Sequence, residues 1–169
     1  MRLFTAIVLS DAAKNEIFQL VCNMKQNAVR GNFTRRENLH VTLVFLGEVA
    51  DSAPVEQILE EMEADAFSLS FSGLGRFRRD GGDICWLGVE PSSGLQQIYS
   101  YLHSRLLPNE TRPRRYQPHI TLGREVILSH EISDPRRITM PVTKISLMKS
   151  ERIAGRLIYT EIYQKGLRA

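Results

Sequence analysis

Two segments of this chain carry the same four-residue pattern: His40-Val41-Thr42-Leu43 and, half a chain later, His119-Ile120-Thr121-Leu122. The chain has 4 His in all, and these two share a tail of apolar, Thr, apolar. Side chains alternate along a strand, so each His and its Thr emerge on one face. An imidazole and a hydroxyl then lie roughly 6.6 Å apart, a span that one phosphate group can bridge. Alternation sends Val41, Leu43 and Phe45 in the first copy, and Ile120 and Leu122 in the second, toward a core. Two such strands face to face would bring two acid–base groups and two hydroxyl donors to one site. That set can break a phosphoester bond without a metal, and it makes His40 and His119 the candidate catalytic residues.

Other chemistries are less well served. Neither His is followed three or four residues later by a His, Asp or Glu, as a zinc site usually shows, so no metal and no cofactor is expected. No Gly-x-Ser-x-Gly elbow is present. Gly73-Leu74-Gly75 lacks the Lys-Ser/Thr of a phosphate loop. His103, on a helix, and His130, in a loop, read as surface residues.

The elements that position the two motifs alternate between helix and strand. Ile17, Leu20, Val21 and Met24 follow helical spacing after Ser10-Asp11. Val55, Ile58, Leu59 and Met62 repeat it after Asp51-Ser52, with Pro54 where a helix begins. Leu95, Ile98, Tyr99 and Leu102 repeat it again, and Ser93 with Gln96 has capping-box spacing. Strands are expected over 2–9, 39–46, 67–73, 84–89, 117–123, 142–150 and 156–164, with a hairpin turn at Asp80-Gly81-Gly82-Asp83 and another at Gly155. Pro108, Pro113 and Pro118 mark 108–118 as a long loop, and Pro118 biases Gln117 toward extended geometry. The chain thus reads as two loosely similar halves. The expectation is an α+β fold with antiparallel sheets, and residues 1–169 forming one domain of two intertwined lobes.

With 169 residues the chain can bury a sizeable core. No stretch approaches the roughly 20 apolar residues of a membrane span. The apolar run Leu3 to Leu9 reads as a buried strand, not a signal peptide. Cys22 and Cys85 lack metal or redox spacing, which suits reduced thiols in the cytoplasm. The net charge is +3, and of the 22 basic residues all but Lys14, Lys25, Lys144, Lys149 and Lys165 are Arg. Arg presents a planar fork that matches phosphate. Arg35-Arg36 and Arg112 to Arg115 lie just upstream of the two motifs, which favours a polyanion such as RNA.

Taken with their flanks, the motifs resemble a known family. Asn38-Leu39-His40-Val41-Thr42-Leu43-Val44-Phe45-Leu46-Gly47-Glu48, Pro118-His119-Ile120-Thr121-Leu122-Gly123-Arg124 and the closing Ile145 to Ser150 are similar to the 2H phosphoesterase superfamily. Within it they look like the RNA 2′,3′-cyclic phosphodiesterase (2′-5′ RNA ligase-like) branch. The resemblance runs from residue 2 to about residue 167. It implies a bilobal, pseudo-symmetric α+β fold in which antiparallel sheets line a central cleft and helices lie outside. It also implies hydrolysis of RNA 2′,3′-cyclic phosphate ends to 2′-phosphates, with reverse 2′-5′ ligation; a monomer is expected. By analogy His119 is the base and His40 the acid, while Thr42, Thr121 and Arg124 bind the phosphate.

The chain departs from the family pattern in two places. A Lys often follows the first motif where this chain has Val44, which alternation places on the His side; Arg35 or Arg36 would supply the missing contact. A Trp often precedes that motif, and here Phe33 could stack a base. Arg114, Arg115 and Tyr116 are further candidate RNA contacts. Two other readings stay open: a phosphodiesterase for another 2′-5′ or cyclic linkage, and an RNA-end-binding module with vestigial catalysis.

Overall fold

The computed structural model describes residues 1–110 and 115–169. In chain order the elements are β1 (Arg2–Val8), α1 (Asp11–Gln26), β2 (Ala28–Phe33), a 3-10 turn (Arg36–Asn38), β3 (His40–Glu48), α2 (Ala53–Glu60), β4 (Phe67–Phe77), β5 (Asp83–Val89), α3 (Ser93–Leu106), β6 (His119–Leu128), β7 (Ile138–Val142), β8 (Lys144–Ile153) and β9 (Arg156–Gly166). The strands form two antiparallel sheets, ordered β3-β1-β8-β9 and β2-β6-β5-β4-β7. One hydrophobic cluster, including Leu3, Ile7, Val41, Phe71, Leu87, Ile120 and Leu147, draws on both sheets and on all three helices.

Local chemistry accounts for the helix starts. The Ser10 hydroxyl accepts from Ala13 N–H at 3.2 Å, opening α1, whose Ile17, Leu20, Val21 and Met24 form the buried face. Asp51 accepts from Ala53 N–H at 3.0 Å ahead of Pro54 in α2. In α3 the cap is Ser92, one residue before the expected Ser93, and it accepts from Leu95 N–H at 3.2 Å.

Three strand expectations need correction. The strand expected over 142–150 is β8, which pairs with β1, and a further strand not expected precedes it: β7 pairs with β4 in the other sheet. The chain changes sheets at Thr143, and β7 lies at a sheet edge, where Pro141 needs no ladder N–H. The strand expected to stop at 73 runs on to Phe77, because a register shift between Phe71 and Leu74 absorbs Gly73, at φ 83°. The edge strand β2 was not expected; its mixed, largely polar sequence carries no clean alternation. At the far end, Ala154 and Gly155 both have positive φ, 52° and 78°, and close the β8–β9 hairpin tightly.

The decisive correction lies within β3. Consecutive Thr5 and Ala6 of β1 face Val44 and Thr42, leaving Leu43 as an extra residue. This bulge buries Leu43 and Val44 together and turns Phe45 outward, 49% exposed. Val44 therefore lies on the core side and Phe45 on the His40 side, the reverse of simple alternation. Thr5, wholly buried, holds the bulge: its hydroxyl accepts from Val44 N–H at 3.1 Å and lies 3.5 Å from Val44 O. Thr5→Val leaves that N–H without a partner, and unfolding by denaturant should show a loss of about 1–3 kcal/mol. An unchanged stability would mean that the bulge does not need the hydroxyl.

Candidate active site

β6 repeats the bulge of β3. Consecutive Cys85 and Trp86 of β5 face Gly123 and Thr121, so Leu122 is the extra residue. Both strands open with the same run of half-buried and buried positions, from His40 to Val44 and from His119 to Gly123. The consequence is chemical. Strict alternation would put Arg124 on the opposite face from His119; the bulge returns it to the face of His119 and Thr121, just as it returns Phe45 to that of His40 and Thr42.

Each imidazole is oriented by the carbonyl two residues before it. Nδ1 of His40 lies 2.7 Å from Asn38 O, and Nδ1 of His119 lies 2.8 Å from Gln117 O. A carbonyl only accepts, so each Nδ1 carries the proton in the neutral ring and each Nε2 is left unprotonated, able to accept one. Nε2 of His40 meets the Thr42 hydroxyl at 2.9 Å. Aromatic rings brace both groups. Phe4 and Tyr159 lie 5.0 and 5.2 Å from the His40 ring, the latter edge-on. Phe77 meets the His119 ring edge-on at 5.1 Å, with Trp86 at 6.2 Å. Among the described residues, Trp86 Nε1 is the buried side-chain polar atom without a hydrogen-bond partner.

Burial, chiefly, pushes the His40 pKa below its ordinary value, and the charges of His119, Arg124 and Lys14 add to this against the Asn38 hydrogen bond. Arg124, exposed, thus acts on His40 from the other strand. Because the folded state resists protonating His40, this residue supports the fold above pH 6.5 and weakens it as the pH falls through its lowered pKa. An NMR titration should find the His40 midpoint below that of a free imidazole, and Arg124→Ala should move it up while leaving it low. A midpoint at or above 6.5 would contradict the burial argument.

The remaining candidates sit elsewhere. Phe33 packs against the core beside β6, where a Cβ at Gly123 would come within 3.1 Å of its ring. Arg35 donates to Leu157 O and pairs with Glu37 at 3.2 Å. Arg36 donates to Asn15 Oδ1 at 2.7 Å and pairs with Asp11 at 3.3 Å. Both guanidinium groups thus have partners within the chain, and Arg35 with Asn38 pins the turn before His40 to the carbonyl of Leu157. Tyr116 stacks on Tyr99 at 3.9 Å and donates to Thr42 O at 2.8 Å, tying the approach to His119 to the strand of His40. Arg115 is exposed and lines a groove of about 740 Å³ with Trp86, Glu90 and Gln117. Arg114 lies outside the described residues. Phe4, Thr5, Phe77, Trp86 and Tyr159 escaped the sequence reading, because each sits in an ordinary strand pattern far along the chain from the His it supports.

Two general acid–base groups, two hydroxyls and one Arg on facing strands suit phosphoryl chemistry, and the comparisons bear on which kind. The model of the 2′-5′ RNA ligase superfamily matches residues 10–154. The chain belongs to that superfamily. Among its relatives in the superfamily are proteins named RNA 2′,3′-cyclic phosphodiesterase. That of Archaeoglobus fulgidus is 30% identical over 139 residues, 79% of this chain and 78% of its own. That of Escherichia coli is 33% identical over 136 residues, covering 75% and 74%. The fold is shared with E. coli LigT in apo form, at a TM-score of 0.87 and 28% identity over 99% of this chain and 98% of that one. LigT complexed with 3′-AMP aligns at a TM-score of 0.87 and 29% identity over 98% and 97%.

Proposed function

We propose that the chain is an RNA 2′,3′-cyclic phosphodiesterase, acting as a monomer in the cytoplasm on RNA ends and yielding 2′-phosphates. The observation that carries this reading is the duplicated strand. Each copy offers an imidazole with Nδ1 tied to a carbonyl, beside a hydroxyl on the same face, and in the first copy Nε2 meets that hydroxyl. Membership of the superfamily and the names of its relatives support the substrate. The two free cysteines suit a reducing compartment.

In the proposed reaction a neutral imidazole takes a proton from water as its oxygen attacks phosphorus. The bond to the 3′ oxygen breaks on the opposite side, and the second imidazole, protonated, gives its proton to that oxygen. Thr42 and Thr121 donate to the phosphate oxygens, and Arg124 meets the charge that builds on the pentacovalent phosphorus. Opposite protonation states on two such groups give a bell-shaped pH profile. The resemblance makes His119 the base; burial of His40 keeps that imidazole neutral in the free protein, the form a base requires. A 5′-hydroxyl in place of water would form a 2′-5′ joint, the ligation that the superfamily's description names.

His40→Ala and His119→Ala should each lower the rate on a 2′,3′-cyclic-phosphate end by about 10²–10⁴. A p-nitrophenyl phosphodiester, whose leaving group needs no proton, assigns the roles. The variant lacking the acid should recover much of its rate on that ester, and the one lacking the base should not. Full activity in either variant on the RNA end would remove the two-imidazole mechanism, and binding without turnover by the native chain would favour the binding module.

A further inference from the structure

The catalytic face of β3 continues past Thr42 into a surface that the reaction at phosphorus does not use. The bulge brings Phe45 to that face, and Arg2 of the adjacent β1 lays its guanidinium over the Phe45 ring, 5.0 Å from its centre. The next strands extend the row. Arg2 faces Ser150 of β8, and Ser150 faces Tyr159 of β9, so the three side chains share one face with Phe4 and His40. Two residues beyond Ser150, Arg152 follows on the same face.

These two arginines differ from Arg35 and Arg36. Both are exposed, and the carboxylates near them have other partners: Glu48 pairs with the Met1 amine at 3.4 Å and Glu151 with Lys149 at 2.9 Å. Among the described residues, neither Arg2 nor Arg152 meets a carboxylate. Their charges and that of Arg124 all bear on the Tyr159 phenol beside His40, opposing the effect of its burial. Pseudo-symmetry sharpens the point. Where β6 presents Arg124 after its bulge, β3 presents Phe45, and the cation on that side is Arg2 held over it.

We propose that Arg2, steadied by Phe45, and Arg152 form a second phosphate subsite, which takes the phosphodiester joining the last two nucleotides of the RNA. An RNA that ends in a cyclic phosphate has its other phosphates on the 5′ side, so this is the nearest further anion to the reacting phosphorus. Guanidinium groups without carboxylate partners, one of them oriented by an aromatic face, suit such a group. The proposal rests on the proposed activity at the adjoining site, and it makes the enzyme prefer a chain over a lone nucleotide.

The test compares adenosine 2′,3′-cyclic phosphate with the same nucleotide bearing a 5′-phosphate and with the dinucleotide ending in a cyclic phosphate. For the native chain, the added phosphate should raise kcat/KM about tenfold, mostly through KM, as one charge-assisted hydrogen bond would. In the Arg2→Gln/Arg152→Gln variant the ratio between phosphorylated and plain substrate should fall to about one. A native chain that hydrolyses all three equally, or a variant that keeps the ratio, overturns the subsite and leaves the proposed activity standing. If the native chain hydrolyses none, the activity itself fails. Fluorescence-detected binding of a labelled dinucleotide 2′-phosphate then decides the subsite: equal affinity in native chain and variant overturns it, and a loss of about tenfold upholds it.

Discussion

The site depends on one backbone irregularity used twice. An extra residue at Leu43 in β3 and at Leu122 in β6 breaks the two-residue period after the Thr of each motif. Without it, Val44 and Gly123 would face the cleft, and Phe45 and Arg124 would face the core. With it, two apolar neighbours enter the interior side by side, and a long side chain joins the His and Thr on the reactive face. Bulges of this kind re-aim a side chain at a cost in ladder hydrogen bonds. In β3 the buried Thr5 hydroxyl meets part of that cost by accepting from the N–H of Val44.

The rest of the architecture supports the two bulged strands. β1 and β5 set their registers, and the carbonyls of Asn38 and Gln117 set the tautomers of the two imidazoles. The segments before each His are fastened across the molecule. Asn38 and Arg35 reach Leu157 O on β9, and Tyr116 reaches Thr42 O on β3. Each His is thus tied to a part of the fold distant in sequence, which fixes the gap between the two groups that the proposed reaction sets on one phosphorus. The halves are alike in backbone but not in charge. His40 is half-buried between Phe4 and Tyr159 and is swayed by Arg124 from the other strand, an asymmetry that suits the opposite tasks proposed for the two imidazoles.

Much of this was legible in the sequence where local rules govern. Ser10 caps α1, Pro54 opens α2, and the two His-x-Thr-x patterns lie on strands with His and Thr on one face. What escaped was set by partners far along the chain. The burial of Val44 and exposure of Phe45 follow from the register with β1, which no alternation within β3 reveals. Proximity in sequence also misled. Arg35 and Arg36 lie next to the first motif yet meet Leu157 O, Glu37, Asn15 and Asp11, whereas Arg2 and Arg152 come to the face of His40 from other strands. Tyr159 carries no motif at all and comes to His40 by way of β8 and β9.

In the proposed reaction water, activated by one imidazole, opens a 2′,3′-cyclic phosphate as the other protonates the 3′ oxygen. Hydrolysis of a 2′,3′-cyclic-phosphate-ended oligonucleotide in ¹⁸O-water, with the product read by mass and by the position of its phosphate, tests it most directly. The expected product is a 2′-phosphate carrying one solvent oxygen. A 3′-phosphate would place the leaving oxygen on the wrong side of phosphorus, and no solvent-labelled product would show that the two facing strands do not perform this hydrolysis.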